Sequence, residues 1–140
     1  MNFLIALLFG GVLLNNDWTF ALGNTDPALD YGHNTEYFTT MAKVGSSDHN
    51  RGPVWPLFDD SSWQKVSLPH DWAVDLPFSG EASHSHGYKC LGWKYPANSV
   101  GWYRKHLQIP AEDKGKQVFI EFEGIFRDSR IYCNGFYVGS

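Results

Sequence analysis

The chain has few cysteines and no run of basic residues. Cys90 and Cys133 are the only two cysteines among 140 residues, which is too few for a disulfide scaffold, and they lack C-x-x-C spacing. The sequence fits a single bridge in an exported protein. It also fits two separate thiols with Cys133 packed as a small apolar strand residue, which is the favoured interpretation. The 11 Lys and Arg residues are scattered and the net charge is -4, so we predict no nucleic-acid partner.

Signature motifs of several enzyme classes are also missing. The sequence contains neither a G-x-x-x-x-G-K-[ST] nor a G-x-G-x-x-G phosphate loop, and no G-x-S-x-G nucleophile elbow. His84 and His86 form a close pair near Cys90, but a structural zinc site needs four ligands and no fourth ligand is evident. We therefore predict no metal in this chain, and loop histidines that hydrogen-bond a ligand or a neighbouring subunit instead.

A long hydrophobic run is absent, although the first residues are apolar. Residues 1–12 are too short to span a bilayer, which takes ~20 residues, so we predict no membrane span. They resemble the hydrophobic part of a signal peptide. However, no Lys or Arg precedes the run, no A-x-A-like site follows it, and residues 12–14 continue into a predicted strand near Trp18. A working leader, with export to the periplasm or beyond, and a damaged leader, with a cytoplasmic protein, both remain open.

Strand signals dominate the remaining segment, residues 13–140. Residues 118–123 alternate, which predicts that Val118, Ile120 and Phe122 face a core. Asn134-Gly135 separates two strand-like runs and is a strong hairpin signal, because both turn positions need φ > 0. Further strands are predicted over 18–20, 64–68 and 101–109, a capped turn over 59–63, a polar turn over 111–115, and long loops over 26–56, with one helical turn at 36–41, and 80–98. This pattern predicts an all-β sandwich or barrel.

Carboxylates that could perform acid–base chemistry are spread along the chain. Cleavage of a glycosidic bond needs two of them about 5–10 Å apart. The candidates are Asp71, Asp75, Glu81, Glu121, Glu123 and Asp128. Only Asp71 lies in an unusual motif, Leu68-Pro69-His70-Asp71-Trp72, and a structural Asp that caps a turn or pairs with His70 or an Arg is the favoured interpretation.

Aromatic residues are abundant, at 16% of the chain. Aromatic faces can bind sugar rings, but β-rich cores collect the same residues. Asn98 lies at the end of a long loop, directly before a predicted strand. Its amide could contact vicinal hydroxyls of a sugar, or it could close the turn before the strand; the two interpretations are about even.

Several motifs taken in order resemble the N-terminal domain of glycoside hydrolase family 2, especially its β-galactosidase branch. They are Phe58-Asp59-Asp60-Ser61-Ser62-Trp63, Leu68-Pro69-His70-Asp71-Trp72, Asn98-Ser99-Val100-Gly101-Trp102-Tyr103-Arg104-Lys105, Glu123-Gly124-Ile125-Phe126-Arg127-Asp128-Ser129 and Tyr132-Cys133-Asn134-Gly135. The resemblance implies a jelly-roll β-sandwich of the galactose-binding-like type. The sandwich of the family continues for several more strands, so we expect this one to be incomplete at its C-terminal end.

The resemblance also implies how roles are divided in the parent enzyme. Both catalytic glutamates of the retaining mechanism lie in a TIM barrel, beside an immunoglobulin-like domain, and any magnesium is bound in the barrel. No residue here is therefore expected to be catalytic, and no cofactor is expected in this chain. Asn98 matches a family residue that contacts the galactosyl unit of a β-galactoside. The loop residues His86 and Tyr88 are expected at the pocket rim, and the expected structural residues are His70, Asp71, Trp72, Arg104, Arg127 and Asp128.

Two other functions fit the sequence. One is a free-standing carbohydrate-binding module, against which the missing strands argue. The other is a purely structural interaction domain, for which Asn98→Ala would change nothing in the full-length protein.

Overall fold

The computed structural model describes residues 3–7, 10–23, 52–126 and 128–140. The predicted helical turn at 36–41, most of the 26–56 loop, and Arg127 lie outside these residues. The strands are β1 (Phe3–Leu7), β2 (Gly10–Leu13), β3 (Trp18–Gly23), β4 (Gln64–Val66), β5 (Val100–Arg104), β6 (Phe119–Phe122), β7 (Ile131–Cys133) and β8 (Phe136–Gly139).

The strands form antiparallel sheets in the orders β2-β1-β6, β4-β3-β5 and β7-β8. Between them the described chain contains only short 3-10 turns and no α-helix. This confirms the predicted all-β sandwich-type fold. In the same residues, no helix has the length and hydropathy to cross a membrane.

The apolar N-terminal residues form strands in this structure. β1 pairs with β2, with Leu4 opposite Leu13, and on its other edge with β6, with Ile5 opposite Ile120. Whether residues 1–12 are also a leader stays a prediction, as does the domain boundary at residue 13.

The predicted turns are confirmed. Cys133 pairs with Phe136 across the β7–β8 hairpin, and the two turn residues have φ of 50° at Asn134 and 83° at Gly135. Asn and Gly are the residues that accept this backbone most readily. The polar turn is a 3-10 turn at Ala111–Asp113.

The strand predicted over 101–109 was too long. β5 ends at Arg104 because its pairing partner ends there: Arg104 lies opposite Thr19, next to the start of β3. Before β3 the chain turns away through Asp17, whose φ is 59°. A strand without a partner leaves its amides unpaired, so residues 106–110 continue as exposed coil.

The small core lies between the first two sheets. Leu14 and Leu68 are buried in it, and Trp18, Tyr103 and Phe122 pack against them. The inward orientation of Phe122 is therefore confirmed. The prediction that Val118 and Ile120 also face the core was wrong, because these residues are 37% and 41% exposed.

The two cysteines are separate thiols, as the favoured interpretation predicted. The predicted burial of Cys133 was wrong, since Cys133 is exposed and Cys90 is the buried thiol. Alternation assigns Cys133 to one face of β7, but β7 and β8 form a two-stranded sheet. Within the described residues no second layer of strands covers that face.

Candidate functional site

An aromatic cluster connects the Leu68–Trp72 motif to β3 and β5. It consists of Phe20, His70, Trp72 and Tyr103. The Phe20 ring lies 4.8 Å from His70, 4.9 Å from Tyr103 and 6.0 Å from Trp72, measured between ring centroids. These are favourable aromatic separations. The motif residues are therefore held against the sheet.

The polar atoms of the motif are also engaged. His70 Nδ1 lies 2.7 Å from the Tyr103 hydroxyl, and Asp71 Oδ1 accepts a 2.9 Å hydrogen bond from Ala73 N, which caps the 3-10 turn Trp72–Asp75. Burial, with a smaller contribution from the charge of Asp71, raises the pKa of Tyr103 well above its ordinary value. Tyr103 therefore stays a neutral hydroxyl at physiological pH.

Gly101 allows the cluster to approach the backbone of β5. A Cβ at this position would lie 2.8 Å from Trp72 Cζ3 and 3.1 Å from Phe20 Cε2. Both distances are shorter than ordinary van der Waals contacts. Only a residue without a side chain lets Trp72 lie across the strand.

Arg104 joins β5 to residues 53–60. Its Nε lies 3.1 Å from Asp60 Oδ2, and its Nη atoms donate to the carbonyls of Pro53, Trp55 and Pro56. Only 11% of the Arg104 side chain and 14% of the Asp60 side chain are exposed. This arrangement is a structural ion pair with satisfied donors.

Asp60 remains ionised in this environment. Burial alone would raise its pKa, but hydrogen bonds from Thr19 and Arg104, together with the arginine charge, outweigh burial and lower the pKa. The Thr19 hydroxyl donates over 2.7 Å. From the sequence, Asp60 was identified only as part of the 59–63 turn. That turn is confirmed by the 3.0 Å hydrogen bond from Trp63 N to Asp60 O. The ion pair between Asp60 and the distant Arg104 was not predicted.

Asn98 ends the 3-10 turn Pro96–Asn98, directly before β5. Trp72 Nε1 donates to its carbonyl over 3.0 Å, and its own Nδ2 donates to the Cys90 carbonyl over 3.0 Å. Among the described residues, Asn98 Oδ1 accepts no hydrogen bond. The amide therefore helps to close its loop, and it keeps one acceptor and one N–H for an outside partner.

Ser99 completes the closure of this loop. Its hydroxyl accepts from Gly92 N at 2.7 Å and lies 2.8 Å from Gly92 O and 2.7 Å from Tyr95 O, to either of which it can donate. The resulting unit, residues 90–99, is called the Asn98 loop below.

A groove lies beside the Asn98 loop. Its volume is about 430 Å³ and its lining residues are Glu81, Ala82, Ser83, Ser85, His86, Leu91, Gly92, Trp93 and Lys94. Of the two predicted rim residues, His86 lines the groove and Tyr88 does not. Tyr88 instead lies edge-on to His84, with ring centroids 5.5 Å apart. From the sequence, Trp93 was not predicted to lie at this groove. The available signal was its position between a glycine and a lysine in a polar loop, where an apolar residue is unusual.

The remaining predicted structural residues lie elsewhere. Asp128 has a φ of 54° and lines a second groove with Ser129, Arg130 and Ser140. Arg127 is outside the described residues. In the part of the chain that the structure describes, no group of three or more His, Cys, Asp or Glu side chains could hold a metal ion.

Fold and site together define a small all-β domain of the sandwich type that presents an amide and an indole at one loop end. Comparison with known proteins identifies its relatives. The chain is 39% identical over 84 residues to a β-galactosidase of Bacteroides ovatus, an alignment that covers 60% of this chain and 9% of that protein. It is 30% identical over 125 residues to a β-glucuronidase of Formosa agariphila, covering 89% of this chain and 10% of the relative.

A β-galactosidase of Thermoanaerobacter pseudethanolicus is 35% identical over 82 residues, which are 59% of this chain and 9% of that enzyme. No family model matches the chain, and no solved structure matches it. The chain spans about a tenth of the length of these relatives. The resemblance predicted from the motifs is confirmed: the chain is homologous to a short segment of large glycoside hydrolases named β-galactosidase or β-glucuronidase.

Proposed function

We propose that this chain is the N-terminal, non-catalytic domain of a family 2 glycoside hydrolase that acts on β-galactosides. In this proposal the chain supports a catalytic TIM barrel and an immunoglobulin-like domain, and Asn98 contributes one contact to the galactosyl unit. The barrel supplies both catalytic glutamates and binds any magnesium ion. The proposed sandwich is of the jelly-roll, galactose-binding-like type.

The observation that carries the proposal is the fixed position of Asn98. Its backbone carbonyl is held by the Trp72 indole and its Nδ2 by the Cys90 carbonyl. An amide held in this way loses little conformational entropy when it binds a hydroxyl, which increases the affinity of each hydrogen bond. Asn98 Oδ1 and the second N–H could accept from and donate to neighbouring hydroxyls of one sugar ring.

The choice of galactose over glucuronic acid rests on the Leu68–Trp72 motif, because relatives with both names match the chain. The test is hydrolysis of an aryl β-galactoside and an aryl β-glucuronide by the full-length protein that contains this chain. We expect turnover of the galactoside and little of the glucuronide. The reverse preference would assign the protein to the glucuronidase branch, and turnover by residues 1–140 alone would contradict the non-catalytic role.

The role of Asn98 is tested in the same full-length protein. Asn98→Ala should lower kcat/KM for the aryl galactoside by an amount equivalent to ~1–3 kcal/mol of transition-state binding. Asn16→Ala, at an exposed asparagine, is the matched control. Because Asn98 also holds Cys90, unfolding is measured in parallel. A loss of stability with unchanged kcat/KM would contradict the substrate contact and show that Asn98 only closes the loop.

A further inference from the structure

Trp93 is held in an exposed position by the loop beneath it. Its side chain is 87% exposed, and among the described residues its indole makes no hydrogen bond or ring contact. Tyr95 N donates to Gly92 O over 2.8 Å, so Trp93 and Lys94 occupy the two central positions of a β-turn. Ser99 holds the base of that turn through both polar groups of Gly92. A rigid backbone thus presents a large apolar face to water.

Gly92 fixes the direction of the turn. Its φ is 91°, and a Cβ there would lie 3.1 Å from His86 Cε1. His86 therefore packs directly against the turn and forms the adjacent wall of the groove. Any other residue at position 92 would push the two apart.

The groove lining also contains polar side chains. The Ser83 and Ser85 hydroxyls lie 2.7 Å from each other, and Ser83 also caps the 3-10 turn His84–His86. Lys94 Nζ donates to the Glu81 carbonyl over 3.1 Å. Both residues line the groove. The groove lining therefore combines an exposed indole with the hydrogen-bonded hydroxyls of Ser83 and Ser85 and the hydrogen-bonded ammonium of Lys94.

These features fit a sugar ring better than a protein segment. A contiguous apolar patch often marks a protein-binding surface, whereas the lining here also includes the polar residues Glu81, Ser83 and Lys94. The volume of about 430 Å³ lies within the ~300–1,000 Å³ typical of small-ligand sites. The lining contains one acidic residue, Glu81, and one lysine, Lys94; their formal charges sum to zero, which favours a neutral ligand over an anionic one.

We propose that the Trp93 groove binds a neutral hexose unit of an oligosaccharide, with the sugar face on the indole and its hydroxyls on the Ser83, Ser85 and Lys94 side chains. The ligand class rests on the proposed function, which makes the parent a glycosidase; the proposed sugar contacts of the groove do not include Asn98. The groove would bind a unit of the glycan other than the galactosyl residue that is cleaved.

The experiment uses the full-length protein, with a catalytically impaired form for binding. Calorimetric titration with β-linked galactotriose is carried out on this form and on its Trp93→Ala, Trp93→Phe and Phe78→Ala variants. We expect Trp93→Ala to weaken binding about tenfold or more, as for truncation of a buried aromatic anchor. Trp93→Phe should retain most of the affinity. Phe78, whose side chain is 71% exposed outside the groove lining, is the matched control and should change nothing.

Kinetics then separate this site from the proposed active-site contact. In the active protein, Trp93→Ala should raise KM for galactotriose about tenfold and affect kcat/KM for a short aryl galactoside less than it affects kcat/KM for galactotriose, whereas Asn98→Ala should lower kcat/KM for both substrates to a similar extent. Unchanged galactotriose binding in Trp93→Ala would overturn the groove proposal. A glucuronic-acid trisaccharide that binds more tightly than galactotriose would also overturn it. If the unmodified full-length protein binds galactotriose through Trp93 but hydrolyses no glycoside, the groove proposal is supported and the proposed glycosidase function is refuted.

Discussion

At the scale of single residues, the Arg104 side chain makes polar contacts with residues far away in the sequence. It satisfies carbonyls of three residues between 53 and 56 and the carboxylate of Asp60. The Phe58 ring lies 5.5 Å from its guanidinium carbon. The planar fork of arginine serves several acceptors at once, which a lysine ammonium cannot reproduce. The Asp59–Trp63 motif is therefore fixed to β5 through one side chain.

Asp60→Asn should lower the free energy of unfolding at pH 7 by about 1.5–3 kcal/mol, the range for hydrogen bonds to charged groups. The folded pKa lies below the ordinary value of 3.8, so the unfolded chain takes up its proton first as pH falls. The stabilisation is present above about pH 4 and is lost as pH falls through the lowered folded pKa. Urea unfolding of wild type and variant should therefore converge toward pH 3.

Asp59→Asn is the control for this comparison. Asp59 is exposed and its carboxylate accepts from Ser61 N instead of an arginine. We expect it to change stability less than Asp60→Asn at pH 7. A gap between wild type and Asp60→Asn that widens toward pH 3 would contradict the assigned ion pair.

Gly101→Ala should destabilise the protein by about 1–3 kcal/mol, as overpacking does in other cores. The added methyl would overlap Trp72 and Phe20, and the indole would have to leave β5. Gly80→Ala is the matched control, because a Cβ there meets no atom within 4 Å. Thermal unfolding of the two variants tests this, and equal melting temperatures would mean that the Trp72 ring does not lie on Gly101.

At the scale of elements, the sequence predicted those strands whose signal is local. Alternation revealed β6, and Asn134-Gly135 defined the β7–β8 turn. The pairing of β1 with β6 was not predictable in this way, because it joins the two distant parts of the chain and the apolar residues of β1 resemble a leader. The premature end of β5 was missed for a related reason: it depends on where β3 begins.

The candidate site was predictable to a similar extent. The position of Asn98 at a loop end followed from its place before β5. Its bonds to Trp72 and Cys90 did not, because they depend on how residues 70–90 fold back. The exposure of Trp93 was not predicted, because it depends on the turn that begins at Gly92. The residue types alone do not define that turn.

Ser99→Ala should loosen the Asn98 loop without unfolding the sheets. The change removes the acceptor of Gly92 N and the hydroxyl beside two carbonyls. Because Gly92 is only partly buried, the cost should lie at the lower end of the ~1–3 kcal/mol for an unsatisfied buried donor. Amide exchange at Gly92 and Tyr95 should accelerate, while exchange in β3 stays unchanged. Ser62→Ala, at an exposed serine, should leave both rates as they are. Faster exchange throughout β3 would instead show that the loop and the sheet open together.

At the scale of the whole molecule, the described residues expose much apolar surface on the last strands. Phe119 is 58% and Val138 is 60% exposed, with Phe136 at 44% and Tyr137 at 40%. Exposed apolar strands with free edges promote association between chains. Under the proposed function, this surface is where contact with the further domains is expected.

Residues 1–140 produced alone should therefore self-associate or be only marginally stable. Light scattering after size-exclusion chromatography should show species larger than a 15.9 kDa monomer and a poorly reversible thermal transition. Phe119→Lys combined with Val138→Lys should shift the distribution toward monomer, whereas Lys65→Glu on β4, a charge change elsewhere, should not. A monomer with a reversible, cooperative melt would contradict this prediction.

The position of β1 in the middle of the β2-β1-β6 sheet has a consequence for maturation. If a peptidase cut the chain after residue 12, it would remove the central strand of that sheet along with nearly all of β2. The amides and carbonyls of β6 that pair with β1 would then need a new partner. A chain cut at that point would therefore have a different first sheet from the uncut chain, and the mass of the purified protein distinguishes the two.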